Sequence, residues 1–175
     1  MTTRIAFLRA VNLGKRTVSM ARLVKVFEEL GYEGAWTHIN SGNVVFEATG
    51  SRAAVERSIG DALEAAFGFE VTTFVRTAAE LRQALRLDPF TVGEGDTYFV
   101  TFLKTAPSAA TAKALESASN DFDTLVVHGR DVHWRMRGKS TDTTVKAKTW
   151  NLVGKNASTS RNITMLRKLA AKLET

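Results

Sequence analysis

The chain has 175 residues, 44% hydrophobic and 24% charged, with no cysteine and a formal net charge of +6. It is long enough to bury a real core, and its composition excludes a disordered or fibrous chain, disulfides, thiolate metal sites and a cysteine nucleophile. The charge is uneven: residues 1–134 carry 14 Lys+Arg against 16 Asp+Glu, whereas residues 135–175 carry 10 against 2.

RIAFLRAV (residues 4–11) is short, rich in β-formers and followed by Asn12-Leu13-Gly14, so it reads as a strand. Arg9 interrupts its apolar run, which therefore does not resemble a secretory leader. No stretch approaches the roughly 20 apolar residues of a membrane span. Ser19 can cap a helix whose apolar positions Met20, Leu23, Val24, Phe27 and Leu30 follow the helical period, and Gly31 supplies a left-handed stop. THINSGNVVFEA (37–48) follows as a hairpin. A second amphipathic helix carries Val55, Ile59, Leu63 and Phe67 and ends at Gly68, and EVTTFVR (70–76) is a strand. The order β-α-β-β-α-β is that of the ferredoxin-like unit.

Thr77 and Glu80 form a capping box that opens a helix to about Leu87, closed by Asp88-Pro89-Phe90. The pattern then restarts. TYFVTFL (97–103) is a strand, Pro107 opens a helix to about Ser117, and residues 123–136 form a hairpin turning at Gly129-Arg130. A helix around 143–154, a short edge strand at 157–159 and a last helix follow. The last helix turns Ile163, Leu166, Leu169, Ala170 and Leu173 inward and Arg167, Lys168 and Lys172 outward. The expected fold is α+β, with two ferredoxin-like (βαββαβ) halves packed into one unit. The halves span residues 1–90 and 91–175, the second with an extra C-terminal helix.

Hairpin parity assigns the faces. Whether Ser41-Gly42 or Gly42-Asn43 is the central pair, opposed positions sum to an odd number. Thr37, Ile39, Val44 and Phe46 then share an inward face. Trp36, His38, Asn40, Asn43, Val45 and Glu47 share the other, which is too polar for core. In the second hairpin Leu125, Val127, Val132 and Trp134 point inward, and His128, Asp131, His133, Arg135 and Arg137 outward. In β-α-β-β-α-β topology the first two strands run parallel with the third between them, so residues 11–19 and 40–43 converge at one end. The first of these segments leads into a helix N-terminus, which favours an anion, with Lys15 and Arg16 beside it.

Catalytic signatures are missing. Gly14-Lys15 lacks the spacing of a phosphate loop, there is no Gly-x-Ser-x-Gly elbow, Ser41 has no evident base, and no paired carboxylates share a cleft. Whether the chain is an enzyme is left open. His128, Asp131 and His133 have the parity of a metal site, but Arg135 opposes a cation, so neither metal nor cofactor is expected. An open sheet face could stack bases, with Trp36 and Phe7 beside Arg9 as its few candidates.

FLRAVNLGKRTVSMARLVKVFEELGYEGAWTHINSGNVVFEA resembles the hallmark block of the bacterial family known as domain of unknown function 1697. The likeness continues through DPF (88–90) to STSRN (158–162), nearly the whole chain. It implies an α+β fold of two ferredoxin-like halves and no established function. Arg9, Asn12, Gly14, Ser41, Gly42, Asn43, Arg161 and Asn162 match motif positions. Asn40 stands where the family has Gln and Ile163 where it has Trp, which puts ligand identity in doubt.

The expected function is that of a cytoplasmic protein holding a small anionic or nucleotide-like ligand between the loop after the first strand and the hairpin tip. Arg9, Lys15 or Arg161 would bind the anion, and Asn12, Ser41 and Asn43 would orient it. Gly14 and Gly42 would shape the loops, and Asn162 would complete the site with Arg161. Ordinary structural roles compete: Gly42 for the turn, Asn12 and Asn43 as turn caps, Arg9 in an ion pair. One alternative is nucleic-acid binding through Arg135, Arg137, Lys139, Lys146, Lys148, Arg167 and Lys168. Another is a module that dimerises through an open sheet face.

Overall fold

A computed structural model describes residues 1–9, 18–39 and 42–174. They form two four-stranded antiparallel sheets and six α-helices, a mixed α+β fold. The chain divides into two compact units, Met1–Arg82 with Leu169–Thr175, and Gln83–Lys168, each holding one sheet. No described helix is long and apolar enough to cross a membrane.

The first unit runs β1 (Thr2–Arg9), α1 (Met20–Glu29), β2 (Glu33–Thr37), β3 (Asn43–Ala48), α2 (Arg52–Phe67) and β4 (Thr72–Thr77). Local chemistry sets the helix ends as expected. The Ser19 and Ser51 hydroxyls accept from Arg22 N and Ala54 N, each at 3.2 Å. Gly68 stops α2 in the left-handed region at φ 80°. The sheet order is β2-β3-β1-β4, and both β1 and β2 pair antiparallel with β3, so they run parallel to each other. One face buries Ala6, Leu8, Val44, Phe46 and Val75 against Leu23, Phe27, Ile59 and Leu63 of the helices. The Phe46 ring meets Phe27 edge-on at 5.1 Å and Tyr32 at 5.2 Å. Glu56 of α2 accepts the Val75 N–H at 2.8 Å and pairs with Arg52 at 2.7 Å, so the β4 edge is satisfied by a side chain. Thr77 and Glu80 form the reciprocal capping box, at 2.9 and 3.0 Å, that opens α3 (Ala78–Leu87).

Three expectations about this sheet are corrected. The pairs Trp36↔Val45 and Thr37↔Val44, with His38 N donating to Asn43 O at 3.0 Å, keep the odd parity but leave 39–42 as the connection. That is neither of the two registers considered. Ile39 does not point inward: it is 54% exposed and left-handed at φ 60°, because the strand ends at Thr37 and alternation stops with it. The face judged too polar for core is buried. Ile5, Phe7, Val45, Phe74 and Arg76 lie on it, with His38 (1% exposed) and Asn43 buried beside them. Polarity of a single side chain misleads at Asn43 because its amide bonds within the sheet, to His38 O at 3.1 Å.

The second unit repeats the strand order, as β6-β7-β5-β8. It comprises β5 (Thr97–Leu103), α4 (Ala109–Glu116), β6 (Asp123–His128), β7 (Asp131–Met136), α5 (Ala147–Trp150) and β8 (Ser158–Asn162), from which α6 (Ile163–Leu173) continues. His128 pairs with Asp131 around Gly129 (φ 60°), the two-residue turn expected. Leu103, Leu115, Leu125, Val132, Trp134, Met136 and Val145 make its core. The Asp123 carboxylate is fully buried, accepting from Trp134 Nε1 at 2.9 Å and Thr143 Oγ1 at 2.5 Å.

The helix expected around 143–154 is only α5, four residues long, between 3-10 turns at Ser140–Asp142 and Asn151–Val153. The cause is local: Thr143, Thr144 and Val145 are β-branched, and Thr143 and Val145 are spent as buried anchors. Pro107 precedes the helix rather than opening it, since the Ser108 hydroxyl caps α4 by accepting from Thr111 N at 3.1 Å. The edge strand expected at 157–159 is β8, running on to Asn162.

Candidate functional site

At one end of the first sheet β1 finishes beside the hairpin connection. Leu8 N donates to Gly42 O at 2.8 Å, and Phe7 pairs with Asn43, so the end of β1 is stitched to the hairpin connection. Arg9 is the last residue of β1, half-buried and opposite Thr72 of β4. Asn43 is buried and its amide is committed to the turn. Asn12, Gly14, Lys15 and Ser41, with Asn40, lie outside the described residues.

Arg161 and Asn162 belong to the second unit, at the end of β8. The Arg161 guanidinium donates to Thr159 Oγ1 at 2.7 Å and Ser160 O at 3.0 Å, and burial lowers its pKa to about 10. The Asn162 carboxamide oxygen accepts from Thr164 N at 2.8 Å and so caps α6. Each residue therefore has a structural job within its own unit.

The non-core face of the second sheet is where sequence parity set His133 and Arg135 outward. His133 is instead fully buried, on the same face as Tyr98, Val100, Phe102 and Arg161. Its Nδ1 bonds the Tyr98 hydroxyl at 2.6 Å, while Nε2 has no partner among the described residues. Phe90 stacks edge-on against Tyr98 at 5.1 Å and lies under Arg135 at 5.2 Å. Asp88, left-handed at φ 34° although Pro89 follows, accepts from Arg167 at 3.3 Å. Burial raises the Tyr98 pKa, Asp88 adds to the rise, and Arg167 opposes it. Periodicity gave no signal for this cluster. The one available clue was the concentration of His, Arg and Asp on a single parity of β7.

Burial lowers His133 from 6.5 to about 4, with His128 adding to the fall and Asp88 opposing it. The sign follows. Above pH 6.5 the ring is neutral whether folded or unfolded; as pH falls towards 4, the unfolded chain takes up a proton that the folded one refuses. Stability should therefore be full above 6.5 and lost towards 4, by up to roughly 3 kcal/mol at about 1.4 kcal/mol per unit. Urea unfolding across that range checks it. His133→Gln should flatten the dependence by close to one proton, and parallel curves for variant and parent would refute the assignment.

No group of three or more His, Asp or Glu among the described residues is arranged to hold a metal ion. The open-sheet reading meets a physical obstacle. Phe7 is fully buried and the central strands of both sheets are buried on both faces, so neither offers a platform for stacking bases or for dimerisation.

The chain matches the family described as "Protein of unknown function (DUF1697)" over residues 1–133. It belongs to that family. Its function is unknown. Among solved structures it is similar to a conserved bacterial protein, SP0830, from Streptococcus pneumoniae, at 18% identity and a TM-score of 0.77. That likeness covers 100% of this chain and 99% of the other, and at such identity it speaks for the fold alone. No curated relative matches the chain. The family match takes in the β1 end, the hairpin and the first strands of the second unit, and stops short of β8.

Proposed function

We propose that this member of the family binds a small anionic or nucleotide-like ligand at the end of its first sheet, where β1 leads into residues 10–17 and the β2–β3 hairpin turns. The hydrogen bond from Leu8 N to Gly42 O carries the proposal, because it brings the ends of the two family-motif segments together. Arg9 follows at once, and Asn12, Gly14, Lys15 and Ser41 come next on these segments. The helix capped by Ser19 starts a few residues later, with the free N–H groups and dipole that attract anions. Ile39 adds support: a β-branched residue that is left-handed and exposed is an outlier, and such strain is retained where a tip has a task beyond folding. Arg9 and Lys15 would supply charge; Asn12 and Ser41 would orient the ligand.

We further take each sheet with its helices as a ferredoxin-like half, residues 1–90 and 91–175, a reading supported by the matching strand orders. A cysteine-free chain suits a reducing cytoplasm.

Thermal unfolding in the presence of inorganic phosphate and of nucleoside mono-, di- and triphosphates tests the site. A ligand at about 100 times its Kd should stabilise by roughly 2.7 kcal/mol, a rise in Tm of about 5–10 °C. Lys15→Ala and Arg9→Ala should abolish the rise. No stabilisation by any of these anions, or one that survives in Lys15→Ala, sinks the proposal.

A further inference from the structure

The basic last quarter does not act as one surface, because its cations are already sorted by their contacts. Arg161 is spent on its own strand. Arg167 bonds Asp88 and Arg137 bonds Asp96, each at 3.3 Å. Arg135 donates to Thr124 Oγ1 at 3.0 Å and sits over Phe90. Between β7 and β8 the situation differs. Lys139, Lys146, Lys148 and Lys155 are all exposed, and none of their side chains has a hydrogen-bond or ion-pair partner among the described residues. The only acid in residues 138–157 is Asp142.

This segment is held in place although it has little regular structure. Thr143 is tied to the buried Asp123, Val145 lies in the core, and Trp150 packs on Trp134 with ring centroids 5.3 Å apart. Anchors and lysines interleave along the chain: Thr143, Val145, Lys146, Lys148, Trp150, Val153, Lys155. The four cations therefore ride on backbone that is already ordered, so an anionic partner need not bear the cost of ordering the loop.

We infer that the β7–β8 segment is a phosphate-backbone contact surface for double-helical nucleic acid, read without regard to sequence. Charge density favours this partner: a duplex presents about one negative charge per 1.7 Å, a regular array that isolated lysines can neutralise without side-chain complementarity. A single strand is disfavoured, because it is gripped by stacking and the segment's aromatic ring, Trp150, is already packed on Trp134. A membrane surface is disfavoured too. Stable attachment needs an apolar element to insert, whereas α5 has four residues and Leu152 is the segment's one large exposed apolar side chain.

Fluorescence anisotropy decides the matter, using labelled duplexes of unrelated sequence, a single strand of equal length, and phosphatidylserine-containing vesicles across a salt series. The log of the duplex affinity should fall against log salt with a slope of about −3.6, some 150-fold between about 50 and 200 mM, and should not depend on sequence. Lys139→Gln, Lys146→Gln, Lys148→Gln and Lys155→Gln combined should bring the slope close to zero while the circular dichroism spectrum stays unchanged. Arg9→Ala and Lys15→Ala should leave it intact, which separates this surface from the ligand site proposed above. The inference is overturned by absence of duplex binding at low salt, by an unchanged slope in the folded quadruple variant, or by tighter binding to the single strand or the vesicles.

Discussion

Replacing Phe46 with alanine should lower the free energy of unfolding by about 3–5 kcal/mol. Phe46 is fully buried in the middle of β3, and its ring meets Phe27 from α1 and Tyr32 from the turn before β2. Truncation removes the transfer energy of the ring and leaves a hole between sheet and helix, which close-packed neighbours fill only in part. The aromatic pairs add about 0.5–1.5 kcal/mol each beyond burial. Phe46→Leu keeps most of the volume and should cost less than half as much. Urea unfolding followed by circular dichroism measures both, and a Phe46→Ala cost below about 1 kcal/mol would show that the helix does not pack on this face as described.

Asp123→Ala should cost about 3 kcal/mol, for a different reason. The carboxylate is the hub of the second unit: Trp134 Nε1 and Thr143 Oγ1 donate to one oxygen, while Thr144 N and Asn120 Nδ2 approach the other at 3.4 and 3.3 Å. Removing it strands two buried donors at about 1–3 kcal/mol each. Asp123→Asn keeps an acceptor for Trp134 and Thr143 but turns an amide N–H₂ towards groups that are themselves donors, so it should cost about half as much. Trp134→Phe loses a single bond, about 1 kcal/mol. Because Thr143 fastens the β7–β8 segment, hydrogen exchange in Asp123→Ala should speed up first across residues 140–145. Uniform acceleration over the whole unit would mean that the carboxylate serves the fold at large and not this segment.

Hydrogen-bonded caps and periodicity were legible in the chain because they are local. Ser19, the Thr77–Glu80 box and Gly68 act on residues three or four positions away, and the apolar stripes of α1 and α2 repeat with the helix itself. Of the candidate ligand site, the topological expectation is that the end of β1 lies beside the hairpin connection, and among the described residues the Leu8–Gly42 hydrogen bond joins the two; Asn12, Gly14, Lys15 and Ser41 lie outside those residues.

What the sequence determined by itself is therefore most of the succession of elements, the caps at Ser19, Thr77–Glu80 and Gly68, and which residues within a strand share a face. Alternation assigned Thr37 and Val44 to one face and Phe7 and Val45 to the other, as the pairing bears out. Tertiary structure alone decided whether the second face is wet. His38 and His133 sit at positions that a lone hairpin would expose, and both are buried, because period two says which residues lie together but nothing of what covers them. Tertiary contacts also decided which cations are free. Arg137 and Arg167 are engaged by residues 41 and 79 positions away, while four lysines of the β7–β8 segment remain at the surface, and sequence spacing carries no trace of that distinction.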